Sequence, residues 1–246
     1  MAAAGTDGTV DDKYYQVAKP GSLAERIVGI ARNRIFSDLM RTCRPSPDST
    51  LVDVGVSDVV GDAANVVERL YPHPDRITAL GLGTGEHFRA AYPAVTYHQI
   101  IANQPLPFPD RAFDIATSNA VLEHVGSIEN QRVFVSELCR VAERVFITVP
   151  NRGFPVEHHT GIPFLHWTEF TFAMSARMLG KDEWTKSENL IMMSRHHLQS
   201  LCPPGRHPTV GYTGIMLGPF SGNLFLYVAE EDRRPNGRGV SEASRP

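Results

Sequence analysis

An α/β architecture on a mostly parallel sheet is what this 246-residue chain predicts, and three observations predict it. Strand-length apolar runs alternate with helix-length amphipathic runs between residues 51 and 149, the pattern of strands joined by right-handed helical crossovers. Leu51-Val52-Asp53-Val54-Gly55 is a buried-strand pattern closing in an acid and a glycine, which puts a carboxylate and bare backbone where open α/β sheets hold ligands. Residues 151–190 then break the alternation with a stretch rich in aromatics, histidine and methionine, too long for an ordinary connection.

The elements follow in order. Residues 1–12 are small and polar, and disorder is expected there. From Gly21, Leu23, Ile27, Ile30 and Ala31 recur at helical spacing with Arg26, Arg32 and Arg34 between them, and Pro45 and Pro47 end this N-terminal helix. Then come a strand over Leu51–Gly55, a helix over Asp62–Tyr71, a strand over Ile77–Leu82, a helix over Glu86–Tyr92, and strands over Val95–Ile100 and Phe113–Ser118. A helix over Ile128–Glu143, with Phe134, Leu138 and Val141 as its apolar stripe, leads to a strand over Val145–Val149. The 151–190 segment reads as a lid inserted over the site, with Phe164, Trp167, Phe170 and Phe172 as its core. A helix starts at Arg195–Leu201, strands lie near Thr209–Tyr212 and over Asn223–Ala229, and glycine-rich Thr213–Gly222 reads as a turn. One domain is expected over residues 13–230, with a disordered tail over 231–246.

Hydrophobic residues make up 42% of the chain, enough for a sizeable core, and the net charge of −3 supplies no basic field. A small-molecule partner is therefore expected rather than nucleic acid or a membrane. Cys43, Cys139 and Cys202 form no CxxC pair and read as reduced, buried thiols. With no basic-then-apolar pattern in Met1–Asp12 and no run of membrane-spanning length, a cytoplasmic location is expected.

Asp53 and Gly55 are followed, in order, by Leu106-Pro107-Phe108-Pro109-Asp110, Phe113-Asp114 and Ser118-Asn119-Ala120-Val121-Leu122-Glu123-His124. Over residues 48–150 this set resembles the class I S-adenosylmethionine-dependent methyltransferases, and Pro150-Asn151-Arg152 through Thr160 with Leu165-His166-Trp167 resembles a bacterial small-molecule branch of them. The resemblance implies a Rossmann-like seven-stranded sheet, mostly parallel with an antiparallel last strand and helices on both faces. It also implies S-adenosyl-L-methionine as cofactor and methyl transfer to a small-molecule acceptor.

Asp53, Gly55, Ser57, Gly83, Asn103, Ser118 and Asn119 are the positions the resemblance offers to the cofactor. A sulfonium and an ammonium are favoured by nearby carboxylates, and a glycine lets backbone approach closely. The turn Gly55-Val56-Ser57-Asp58 places an acid where a dinucleotide's pyrophosphate would be repelled, which argues against NAD. Gly81-Leu82-Gly83-Thr84-Gly85-Glu86 also follows a strand, but only 20 residues separate Glu86 from Leu106, fewer than the roughly 30 of a strand–helix–strand unit. It reads as the exit of the second strand.

The chain departs from the family pattern in three places. The glycine-rich loop is reduced to Gly55 and Gly61; Gly83 and Thr84 stand where an acid usually grips the ribose, with Glu86 a little further on; and Ala102, before Asn103 and Gln104, stands where an acid often meets the adenine. A methyltransferase-like binding or scaffolding module without catalysis is the alternative those departures motivate. For an acceptor that must lose a proton, His158, His159 and His124 are the candidate bases, each set against a structural role. The histidines complete no zinc cage, and no metal is expected.

Overall fold

Five strands of this chain run parallel through the centre of one sheet, and a hairpin completes it. A computed structural model describes residues 23–58, 64–157 and 163–229. Helix α1 (Leu23–Cys43) precedes β1 (Leu51–Val54), α2 (Val66–Leu70), β2 (Ile77–Gly81), α3 (Glu86–Ala91), β3 (Thr96–Gln99), β4 (Phe113–Asn119), α4 (Ile128–Val141) and β5 (Ala142–Pro150). After the insertion, which carries α5 (Glu169–Met178), come α6 (Arg195–Ser200), β6 (Thr209–Leu217) and β7 (Phe220–Ala229). The strand order is β3-β2-β1-β4-β5-β7-β6, with β7 antiparallel to both β5 and β6.

Strand β1 is buried at all four residues, as a central parallel strand covered on both faces must be. One face carries Ile35 and Leu39 of α1, Val66 and Val67 of α2 and Phe88 of α3. The other carries Val135 and Leu138 of α4 and Leu198 of α6. Leu138 is wholly buried, and truncating such a leucine to alanine costs about 2–5 kcal/mol. Helix α4 starts where the Ser127 hydroxyl accepts from the Asn130 amide at 3.1 Å. Helix α1 stops at Arg44, in the left-handed region at φ 47°, just before Pro45.

Three sequence expectations are corrected. The predicted Asp62–Tyr71 helix is only Val66–Leu70, because Asn65 turns into the left-handed region at φ 47° to make side-chain bonds described below; Asp62 itself lies outside the described residues. Thr213–Gly222 is not a turn but most of a hairpin. Its glycines serve β6 and β7: Gly214, at φ +76°, lies where the register shifts between Thr213 and Met216, and Gly218, at φ +58°, makes the reversal. In the insertion Phe172 is buried with Ala176, Trp184 and Leu190, whereas Phe164, Trp167 and Phe170 are exposed. Cys43 and Cys139 are buried free thiols and Cys202 is half-buried. The expected termini, 1–12 and 231–246, lie outside the described residues. Among the described residues no helix is long and apolar enough to cross a membrane.

Candidate functional site

Three ionisable side chains meet in the interior at the carboxyl end of β1. Asp53, paired in register with Ala79 of β2 and Thr117 of β4, is buried. Burial pushes its carboxyl up to about 7, against the opposing pull of neighbouring Glu68 and of the Arg32 charge. Glu68 is buried as well, and burial followed by the Asp53 charge raises it well above the usual carboxylate range. Both Glu68 oxygens are buried with no hydrogen-bond partner among the described residues, and with both carboxyls raised the pair keeps a proton into the neutral range.

Arg32 of α1 is the counter-charge. Its residue is half-buried overall, yet Nη1 lies out of water with no acceptor among the described residues. Burial lowers its pKa, while Glu123 and Asp53 raise it. Arg32 stands three residues before Ile35, with Leu39 and Cys43 following at helical spacing, so a guanidinium extends the buried apolar stripe of α1 by one turn. That continuation was the sequence signal for Arg32. Glu68 carries a similar one, lying directly after buried Val66 and Val67.

The loop beyond β1 is tied to its surroundings. Gly55, at φ +97°, donates its amide to the Leu80 carbonyl at 2.8 Å, and a Cβ there would meet Val121 Cγ2 at 2.3 Å. The Ser57 amide donates to Asn65 Oδ1 at 3.0 Å, and Asn65 Nδ2 returns a bond to the Ser57 carbonyl at 2.8 Å. Asp58 accepts from the Phe88 amide at 2.8 Å, steadying the start of α3. Gly83 is open, with nothing within 4 Å of a would-be Cβ, and its carbonyl accepts from the Tyr97 hydroxyl at 2.6 Å. Asn103 is exposed at φ 59° in the turn after β3.

Strand β4 ends in Ser118, whose hydroxyl donates to the Val54 carbonyl at 2.7 Å, and Asn119, whose Oδ1 accepts from the Thr148 hydroxyl at 2.5 Å. Ala120 then turns sharply at φ 58° and delivers Glu123, buried at 1% exposure, into the interior. His124 faces the insertion: Nδ1 donates to the Asn189 carbonyl at 2.7 Å and the ring lies edge-on to Trp184. That bond fixes the tautomer and leaves Nε2 3.9 Å from Glu123 Oε1. The Ile191 amide also donates to the Glu123 carbonyl, so the chain returning from the insertion is pinned to the end of β4. His158 and His159 lie outside the described residues. Among the described residues no group of three or more His, Cys, Asp or Glu is placed to hold a metal.

The Leu106–Asp110 segment is held by Arg140 and by Glu137, whose Oε2 accepts from the Leu106 amide at 2.8 Å. Arg140 of α4 donates to both Glu137 oxygens at 2.8 Å, to Asp110 at 3.0 Å, and to the carbonyls of Phe108 and Leu106 at 2.8 and 3.1 Å. Asp114 accepts from the Thr50 amide at 2.7 Å, joining β4 to the start of β1. Both acids that flank this turn, Asp110 and Asp114, serve the scaffold.

Residues 73–144 match the family model described as a methyltransferase domain. Over those residues the chain is similar to a methyltransferase domain, and its seven-stranded, mostly parallel sheet is the Rossmann-like fold of the class I S-adenosylmethionine-dependent methyltransferases. The strand order agrees, and solved structures share the fold at low identity. The N-methyltransferase NodS of Bradyrhizobium japonicum WM9, in complex with S-adenosyl-L-homocysteine, is 11% identical with a TM-score of 0.57, over 90% of this chain and 100% of that one. The magnesium protoporphyrin IX methyltransferase of Synechocystis PCC 6803, with the same compound bound, is 13% identical with a TM-score of 0.54, over 89% and 91%. A methyltransferase of Thermotoga maritima, described as a possible histamine N-methyltransferase, is 14% identical with a TM-score of 0.53, over 83% and 90%. No curated protein matches the chain in sequence. The family match begins at residue 73, beyond β1 and its reduced glycine loop.

Proposed function

We propose that this protein transfers the methyl group of S-adenosyl-L-methionine to a small-molecule acceptor. The observation that carries the reading is Arg32: a guanidinium whose buried Nη1 has no acceptor among the described residues, set with Asp53, Glu68 and Glu123 at the carboxyl ends of β1 and β4. An amino-acid zwitterion is the ligand such a set lacks. Its carboxylate would meet Arg32, and its ammonium would meet Asp53 once the Asp53–Glu68 pair has lost its proton.

The cofactor supplies an electrophilic methyl on a positively charged sulfur. The protein's part is to orient the two reactants and exclude water. Gly55 keeps the backbone low beside β1, Asn119 and Ala120 shape the end of β4, and His124 Nε2 lies 3.9 Å from Glu123 Oε1. Asp53, Gly55, Ser57, Gly83, Asn103, Ser118 and Asn119 remain the proposed cofactor contacts, with the Ser57 amide and Ser118 hydroxyl already engaged within the protein. His158 and His159 remain proposed bases beside His124, and the insertion is proposed to cover the bound acceptor. A cytoplasmic setting, with neither nucleic acid nor membrane as partner, belongs to the same proposal.

A second reading, a non-catalytic binding or scaffolding module, is favoured at the residues next to β1, where the Ser57–Asn65 and Asp58–Phe88 bonds satisfy groups that a cofactor loop would offer. Titration calorimetry with S-adenosylhomocysteine separates the two. Saturable binding supports methyl transfer, whereas no heat and no co-purified cofactor in a native mass spectrum would hand the chain to the second reading.

A further inference from the structure

Helix α5 is apolar on two opposite faces, and the described residues cover one of them. At about 100° per residue, Phe172, Ser175 and Ala176 fall on the inner side, where Phe172 and Ala176 pack with Trp184 and Leu190. Phe170, Met174 and Met178, four residues apart, form a stripe on the other side and are 78%, 50% and 80% exposed. The helix that carries the stripe is well started, since the Thr168 hydroxyl accepts from the Thr171 amide at 3.2 Å.

The stripe is part of a larger surface. The Leu165–Trp167 turn packs on α5, and the Trp167 ring lies edge-on to Phe164 at 5.3 Å between centroids and tilted against Phe220 of β7 at 6.4 Å. Taking about 150–250 Å² for a whole side chain of this size, Phe164, Trp167, Phe220 and the stripe leave roughly 700 Å² of apolar surface in water. The largest apolar patch of a monomer is about 300–600 Å², and one side of a standard protein–protein interface buries about 800 Å². The surface is therefore large for a monomer and sized for one half of a stable dimer.

The stripe is also its own complement. Met174 stands midway between Phe170 and Met178, so two copies of α5 laid antiparallel across a two-fold axis at Met174 bring Phe170 of each against Met178 of the other. That makes a thioether-on-ring contact twice. Charge disfavours the other large apolar partner: residues 163–190 carry three Lys or Arg and four Asp or Glu, with no basic rim to draw α5 to an anionic membrane.

We propose that the outer face of α5 is the contact surface for a second copy of this chain, in an antiparallel pairing centred on Met174. The inner face of α5 leads through Trp184, edge-on to His124, toward the end of β4, so the pairing braces the insertion from its outer side. The proposal does not depend on the methyl-transfer reading.

Sedimentation velocity of the whole protein should show a reversible dimer with a dissociation constant of roughly 1–10 µM. Met174→Glu, which sets two carboxylates face to face on the axis, should raise that constant about 30-fold or more, while Ile30→Lys, at an exposed apolar residue of α1, leaves it unchanged. Circular dichroism reports whether each variant is folded. The geometry is read separately, in uncharged variants, by cross-linking with copper–phenanthroline against the wild-type background of three thiols. Met174→Cys should cross-link to itself. Two copies of Met178→Cys would stand about 12 Å apart along the helices, beyond the roughly 7 Å reach of a disulfide, and should instead cross-link to Phe170→Cys when the two variants are mixed. A monomer at about 100 µM, a dimer that Met174→Glu leaves intact, or self-cross-linking at Met178 without any at Met174 overturns the proposal. So does binding to phosphatidylglycerol vesicles by a monomeric chain that Met174→Glu abolishes, which would give the surface to a membrane.

Discussion

Two arginines in this molecule, Arg140 and Arg32, answer to opposite rules. Arg140 spends its donors on Glu137, Asp110 and two backbone carbonyls, and Glu137 is held below the usual carboxylate range chiefly by that hydrogen bond. Arg32 sits beside carboxyls whose burial raises them, and its buried Nη1 has no acceptor among the described residues. A satisfied network clamps a loop, whereas an unsatisfied one is a site waiting for its ligand. Similar residue types thus serve scaffold and function, and the hydrogen-bond accounting tells them apart.

The largest expected effects are those that separate the two arginines. Arg32→Met should weaken S-adenosylhomocysteine about 100-fold by calorimetry, about 2.7 kcal/mol, the range of a hydrogen bond to a charged group, while the protein stays folded. Arg140→Met should do the reverse, costing about 2 kcal/mol in urea unfolding and leaving the affinity of the folded protein within about twofold. If both variants lose affinity equally, the distinction between clamp and site fails.

Gly55→Ala sharpens the boundary between them. A Cβ at φ +97° is strained and meets Val121 at 2.3 Å, so a loss of about 1–3 kcal/mol is expected, partly restored in the Gly55→Ala/Val121→Ala double variant. No restoration would mean that the backbone angle alone demands the glycine. Gly83→Asp, in open space, should change stability by no more than about 0.5 kcal/mol and raise S-adenosylhomocysteine affinity roughly tenfold by adding a ribose contact. The smallest effect is in the thiols. Burial pushes Cys43 and Cys139 up to about 12, so a thiol reagent at pH 8 should label half-buried Cys202 first in the native protein.

Much of the fold was legible because each strand–helix pair carries its own period, from β1 through β5. What failed was local. Thr213–Gly222 was misread since its three glycines signal a turn, while the pairing with β5 that makes β7 a strand is remote in sequence. Phe164, Trp167 and Phe170 were misread as core because aromatic composition does not say which face of an insertion is covered. At the site, Asp53 was legible as an acid ending a buried strand. Its partners were less so: Arg32 and Glu68 continue buried apolar runs, but each looks like the polar flank of a helix until the sheet brings them together with Glu123 over 91 residues of chain, from Arg32 to Glu123.

The proton held by the buried Asp53–Glu68 pair gives the account its most direct test. Both carboxyls are raised in the folded state, so the native protein binds more protons than the unfolded chain from about pH 4 upward, and the ligand-free protein loses stability as pH rises toward and through about 7. A bound ammonium needs the carboxylate, so the proton must leave on binding. Calorimetry of S-adenosylhomocysteine at pH 6, in two buffers of different ionisation enthalpy, should show net proton release that vanishes in Asp53→Asn, with affinity rising up to about tenfold per pH unit below 7. Binding with no proton released, and no change of affinity from pH 6 to 8, would contradict a cofactor ammonium seated at Asp53.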